Sequence, residues 1–453
     1  MLQIDRGLLA AALLSVALFA PCPARAEDPP CLAPAKWFPH TPPPTNSKPN
    51  PNLDCDFYSW AWETFLYITQ EEHSGSGPRF LSYTTPTQLF GRDADARFPE
   101  AATKMLMLAP RFGEVKFPQS NDLFRQATTN GVLVDQNGHA VFYATHMNTD
   151  FVNFVKTNQL TNLQKMHDAS VDLQFPKGSL ELKSSWKIVQ KGEDTTKFYT
   201  TRAVTPLLKL AADGKTIEVD TKNTKEQTVA LLGLHVVGVV EGHPEFIWAT
   251  FEHDDNAPNL PDKVNPTDAV AVDPDHGFTL YPKGALASES NQNNRKTLTF
   301  ADAANQVLQP RTSVFRQFKF GGEDQPQPII ELNATVHVLL PKHLAVWRNY
   351  SFRGAIWINN PDTDFKPDKN FGAINDGIAD DSKKILGGEP RLSNTTMETF
   401  SQATQSCFHC HTSEALPDGS LGPKLFNVSH ILTDAFVNGL PPASSAPKTI
   451  NGK

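Results

Sequence analysis

Cys407, Phe408, His409, Cys410 and His411 form a single Cys-x-x-Cys-His. Two thiols three positions apart can both reach the two vinyl groups of one porphyrin. A histidine directly after the second thiol is then held under the iron as its proximal ligand. The spacing therefore predicts one covalently attached haem c, with Cys407 and Cys410 as attachment points and His411 as the metal ligand. Three other chemistries use paired cysteines. A zinc site would want a second pair of ligands at similar spacing, and the sequence has no second cysteine pair near this one. A thioredoxin-like pair would end an early strand, not stand at 407–410 of 453 residues. A disulfide between the two thiols is the third.

The compartment follows from the other end of the chain. Arg6 supplies a charged start, residues 7–20 an apolar stretch, and Ala24-Arg25-Ala26 a small-x-small cleavage site. Residues 1–26 thus read as a Sec-type secretory signal, too short in its apolar part for a membrane span, and no later stretch approaches one. Haem is joined to thiols outside the cytoplasm in bacteria, so the periplasm is the expected location. Asp5, Arg6 and Arg25 give the signal a charge of +1, so its removal takes the formal net charge from −8 to −9. That balance argues against nucleic acid or an anionic membrane surface as partner and permits docking to a basic redox partner. Beyond the signal, and apart from the haem pair, only Cys31 and Cys55 are left. In an oxidising compartment they are expected to be bonded to each other.

Residues 27–54 are rich in proline and asparagine and read as an extended arm. In the stretch that follows, Phe57, Trp60, Ala61, Thr64, Phe65 and Ile68 recur at helical spacing, with Asp54 or Asp56 as cap and an aromatic density that predicts deep burial. From residue 131 the pattern becomes strand-like. Asn137-Gly138 marks a hairpin, and short helices are expected at 150–156 and 160–167. Strands are expected at 180–189, 197–205, 229–240, 245–252 and 352–358, and a helix at 329–340. Residues 229–240 are nearly all apolar, as a central strand buried on both faces would be. Residues 254–300 lack periodicity and read as a long irregular excursion. The expected fold is α+β: a large β-rich body over 55–390, with an antiparallel or mixed sheet and a few helices, followed by a short α-helical haem-binding segment at 391–453. A single-haem carrier needs only about a hundred residues, so most of this chain is not needed merely to hold a haem.

The haem segment has further order. Thr395 and Glu398 form a capping box that predicts a helix from 395 to about 406, delivering Cys407. Gly422-Pro423-Lys424-Leu425 follows. Helix, Cys-x-x-Cys-His, loop and Gly-Pro-x-Leu in that order resemble the proximal half of class I cytochrome c over 395–426. The resemblance implies that the Pro423 carbonyl accepts the second ring N–H of His411, and that Leu425 packs on the porphyrin. The chain departs from that family in lacking any methionine in 412–453, so the usual distal ligand is missing. A second resemblance rests on Trp60-Ala61-Trp62 with Phe65-Leu66, Gly233-Leu234-His235-Val236-Val237, 247–258 and 394–399. Together these look like a group of exported bacterial proteins labelled only as cytochrome c family. That resemblance implies haem and export but no substrate.

The sixth position of the iron is open, or taken by His430 or by a body histidine such as His253. Met397, on the helix expected to lead into the proximal attachment, is poorly placed for it. His235 and His253 lie on neighbouring strands and carry either a ligand or catalytic role or an ordinary place in a strand end. Three functions fit the sequence: a periplasmic monohaem cytochrome passing electrons to or from a redox partner; a haem enzyme of peroxidase or oxygenase type, its distal pocket built by the large body; and a ligand-binding sensor with haem as redox reporter.

Overall fold

Apart from His235, residues 229–240 are all valine, leucine, alanine or glycine, and such a strand must find cover on both faces. The computed structural model describes residues 29–437 apart from 39–43, 45–47, 74, 91–105, 108, 111–130, 321–325, 368–384, 404–405 and 417–418. The expected signal at 1–26 lies outside the described residues. Met1–Pro30 and Cys31–Lys453 separate as two units, and only the second is described in any extent.

The strands in chain order are β1 (Leu106–Met107), β2 (Ala109–Pro110), β3 (Phe142–Met147), β4 (Leu180–Ile188), β5 (Thr200–Leu210), β6 (Ile217–Val240), β7 (His243–His253), β8 (Thr299–Asp302), β9 (Val307–Gln309), β10 (Tyr350–Ile358) and β11 (Leu386–Gly388). Nine of them form one sheet in the order β11-β10-β7-β6-β4-β3-β2. In it β5 pairs with β6 and β1 runs parallel to β5. All other pairings in this sheet are antiparallel. The separate pair β8-β9 is a small hairpin. The body is therefore α+β, a mixed and mainly antiparallel sheet with several helices.

Strand β6 is longer than its apolar run. Residues 217–228 pair with β5 although they are rich in charge, because cross-strand pairs such as Lys209–Glu218 at 3.3 Å suit a solvated ribbon. An apolar-run reading sees only the buried half. A register shift opposite Ser185 and Trp186 sets Leu232 off the ladder. The shift keeps Val229, Leu231, Leu234 and Val236 on one face despite their uneven spacing.

That face packs against the helices Asp54–Thr69 and Gln327–Leu339. Phe57, Trp60, Ala61, Phe65 and Ile68 are buried as their spacing predicts, and so are Trp62 and Leu66, so the helix is enclosed on more than one side. It starts one residue after Leu53, with no side-chain cap. Asp54 and Asp56 instead occupy its first turn, where the helix dipole favours acids. Asn333 ties the two helices to the sheet. Its Oδ1 accepts from Trp62 Nε1 at 2.9 Å and its Nδ2 donates to the Phe352 carbonyl at 3.0 Å. The approach at Gly238 is so close that a Cβ there would lie 2.9 Å from Trp60. On the second face Val237, Val239, Phe246, Trp248, Ile356 and Ile358 are covered by the helix Thr149–Thr157 and by residues 408–432.

Cys31 and Cys55 are joined by a disulfide, which fixes the proline-rich arm to the first turn of the helix Asp54–Thr69. The Cys31 N–H also donates to Glu331 at 3.0 Å, and Trp37 is buried, so parts of the arm belong to the core. Residues 254–298 hold three short 3-10 turns and isolated β-bridges, as expected of an irregular excursion, but residues 299–300, at the end of the expected 254–300, already belong to β8.

Replacing Cys31 and Cys55 together by serine should cost about 3 kcal/mol by restoring the loop entropy of the unfolded chain. Chemical denaturation of the oxidised protein and of the variant measures this, and equal midpoints would refute it. Stability should also depend on acid. Burial lowers His146 and His253 to about 4. Their stabilisation is full above the unfolded value near 6.5 and is lost as pH falls towards 4. Asp135, raised by burial to about 6, works in the opposite sense over much of that range. Two groups against one leave a net loss on the order of 3 kcal/mol between pH 6.5 and 4. Urea titrations at several pH values would show a falling midpoint; a flat or rising one would contradict the assignment.

Candidate functional site

The Cys-x-x-Cys-His segment folds as one helical turn, Cys407–Cys410, with Ser406 before it and the His411 N–H donating to the Cys407 carbonyl at 2.9 Å. The turn places both sulfurs on one side of the segment, since positions i and i+3 neighbour each other on a helix. Cys407 is partly accessible, Cys410 is buried, and neither is in a disulfide. Burial, reinforced by the charge of Glu398, pushes Cys407 well above the ordinary thiol range and Cys410 to about 12. Both stay protonated at neutral pH.

The helix expected from 395 to about 406 is not formed among the described residues, where 395–403 make turns and a bend. The capping arrangement is shifted by one position: Glu398 Oε2 accepts the Asn394 N–H at 2.9 Å while the Asn394 side chain accepts from the Thr396 N–H at 2.9 Å. The physical reason is competition from the sheet, because buried partners on strands claim the polar groups that would cap a helix. Asn394 Nδ2 donates to Thr250 and to the Phe251 carbonyl. Glu252 accepts from the Thr395 N–H at 2.8 Å and from its hydroxyl at 2.7 Å. Gly233 lets this loop touch the sheet, since a Cβ there would stand 2.8 Å from both Asn394 and Thr396.

Glu252 also receives Arg316 Nη2 at 2.5 Å. Burial alone would raise this carboxyl. The charges of Arg316 and Arg353, with the hydrogen bonds from Arg316 and Thr395, outweigh burial and hold it below its usual range. One buried carboxylate thus ties the sheet, the stretch after β9 and the segment leading to Cys407.

His411 is confined on three sides. Its Nδ1 donates to the Val428 carbonyl at 2.9 Å. One ring face meets Trp248 at a centroid distance of 3.9 Å and 37°, the other meets His430 at 3.8 Å and 21°. Burial, with His430 adding to it, lowers the imidazole well below its ordinary range, so the ring is neutral. Because Nδ1 carries the proton, Nε2 holds the lone pair, the form a metal ligand requires. Behind it the chain is anchored by Lys424 Nζ to the Ala169 carbonyl at 2.6 Å, Ser429 to Glu181 at 2.8 Å, and Asn427 to the Glu414 carbonyl at 2.8 Å.

The expected ligands fare differently. The carbonyl that fixes His411 is that of Val428, not Pro423, because the short helix Leu425–Val428 turns its last carbonyl toward the ring. Leu425 is buried in the same apolar cluster as Phe408 and Trp248. His430 stands beside His411, ring on ring, with Nε2 donating to the Cys410 carbonyl at 3.1 Å. The two imidazoles lie against each other, so a group held by His411 would not be flanked by both rings in this arrangement. His253 has both nitrogens engaged, Nδ1 accepting from the Asp255 N–H and Nε2 donating to the Lys197 carbonyl, each at 3.1 Å, and it stacks on Phe198 at 3.7 Å. It is a structural histidine. Met397 is buried among Leu133, Val141, Leu232 and Leu280, in a cluster separate from that of Phe408. His235 pairs with Glu398 at 3.1 Å.

Trp248 and Val428 carried no signal as isolated residues. Trp248 could have been found from the alternation of Phe246 and Trp248 along β7, which puts both on the face opposite Ile247 and Ala249. A backbone carbonyl such as that of Val428 has no sequence signature.

The residues present fit a covalently held haem. Two thiols in no disulfide lie on the turn just before a neutral histidine whose Nδ1 is fixed, and among the described residues the buried Trp248 indole N–H has no acceptor. Such an orphan donor is costly unless a bound group supplies the acceptor. Among the described residues no three His, Cys, Asp or Glu side chains converge as a metal cage. An iron carried in a covalently tethered macrocycle needs no such cage.

Replacing Glu252 by glutamine should cost about 3–5 kcal/mol, because it strands Arg316 in the interior. Removing Arg316 together with Glu252 should recover part of that loss. A double-mutant cycle in denaturant tests this, and additive losses would overturn the coupling. Comparison with protein-family models, with curated proteins and with solved structures found no match.

Proposed function

We propose that this protein is an exported, periplasmic monohaem c-type cytochrome that passes electrons to or from a redox partner. The observation that carries the reading is His411: its proton is committed to the Val428 carbonyl, both ring faces are covered, and it directly follows a turn that bears two cysteines in no disulfide. A haem bound here would supply one-electron chemistry at iron. Cys407 and Cys410 would each add S–H across one vinyl group, carbon taking the sulfur and its neighbour the hydrogen. His411 would give its Nε2 lone pair to the metal, and the Val428 carbonyl would raise the electron density of the ring. Among the described residues no helix is long and apolar enough to cross a membrane, and the Cys31–Cys55 disulfide suits an oxidising compartment.

One observation favours the haem-enzyme reading as second choice. His235 and Glu398 form a largely buried pair at 3.1 Å, and the Glu398 charge is felt by both thiols. A histidine–carboxylate pair close to a haem could shuttle protons for a peroxide or oxygen substrate.

Protein matured in a haem c-competent host should carry one haem that stays with the polypeptide in acid–acetone, and Cys407→Ser with Cys410→Ser should be colourless. Colour that extracts freely would sink the proposal. Carbon monoxide binding to the reduced protein, with peroxide turnover lost in His235→Leu, would move the assignment to the enzyme.

A further inference from the structure

His411 is restrained more fully than ligation alone requires. Trp248 is set by its strand, paired across to Val237 on β6 and Ile356 on β10, and is only 6% exposed. His430 is set by its own hydrogen bond to the Cys410 carbonyl, inside the motif itself. The two rings approach opposite faces of the imidazole at nearly equal distances, 3.9 and 3.8 Å. The Val428 carbonyl removes rotation that would swing Nδ1. The ring is therefore held both in position and in rotation about the axis through Nε2.

We propose that Trp248 and His430 are positioning residues that clamp the two faces of the His411 imidazole and fix its plane relative to the porphyrin. The proposal rests on the reading of His411 as iron ligand. The plane of an axial imidazole selects which iron d orbital its π system meets. A clamped ring therefore gives one defined electronic ground state, and a freed ring gives a spread of them. Neither clamp residue would hold the iron, and each would act only through His411. His430 belongs to the segment after the motif and Trp248 to the body. The large body thus takes a direct part in setting the electronic state of the site.

The test uses the full-length holoprotein and pairs of variants that separate ring from hydrogen bond. His430→Phe keeps an aromatic face without the donor, and His430→Gln keeps a donor for Cys410 without the face. Trp248→Phe and Trp248→Leu make the corresponding pair at the other face. The readouts are the g-tensor anisotropy of the ferric protein and the spread of the haem-methyl proton shifts. His430→Phe and Trp248→Phe should resemble the wild type in both, while His430→Gln and Trp248→Leu should show shifted and broadened signals. The reverse order at position 430 would assign His430 to holding the Cys410 backbone and overturn the clamp. Spectra that coincide in all four variants would overturn it as well. A wild-type protein that never acquires covalent haem would defeat the functional reading first and the clamp with it, an outcome separable from the others by colour alone.

Discussion

The strand β6 has apolar side chains on both faces over residues 229–240, and everything else is arranged to keep water from them. A central strand satisfies its backbone through its neighbours, but its side chains need two layers of cover. The helices Asp54–Thr69 and Gln327–Leu339 supply one layer. Residues 408–432, with the helix Thr149–Thr157, supply the other. The cysteine segment is thus one wall of the core. Gly233 and Gly238 mark the points of closest approach on the two faces, where a single Cβ would push a covering element away.

Apolar cover does not fix direction, and the polar contacts of the second face do. Glu252, inside the sheet, can be satisfied only by charge and hydrogen bonds from elsewhere, and it receives Arg316 and Thr395. Taken alone, a buried ion pair gives little net stability against an apolar replacement of the same volume. Its effect here is selective: residues 394–398 can dock only where Glu252, Thr250 and Ser185 find their partners. Ser185 and Thr396 meet at 2.6 Å, and the Tyr143 hydroxyl donates to the Thr396 carbonyl at 2.7 Å. Docking at this register in turn sets where Cys407 begins.

The two ring nitrogens of His411 stand in different states, and the tertiary structure divides them. A carbonyl at Nδ1 fixes the tautomer, and low polarity around the ring keeps it neutral. Both conditions come from chain remote from the motif or later than it. The thiols are treated in the same way, since burial keeps them protonated, and neither is in a disulfide.

That Cys407, Cys410 and His411 share one turn was legible in the sequence, because what lies together on one turn is encoded by spacing alone. The doubly buried strand, the aromatic helix, the turn at Asn137-Gly138, closed by the bridge between Val134 and Ala140, and the Cys31–Cys55 pair were legible too, since each depends on local pattern or on counting. What surrounds the motif was not. Thr395 and Glu398 have the spacing of a helix cap, yet the loop gives its hydrogen bonds to Glu252 and Thr250 and forms no helix. Pro423 has the local context of the histidine's acceptor, yet Val428 holds that place. His430 was a candidate to lie across from His411 and instead lies against it. In each case the deciding partner is a backbone carbonyl or a side chain distant in sequence. Spacing records which residues one turn can bring together, whereas only the packed sheet decides which face, which carbonyl and which ring they meet.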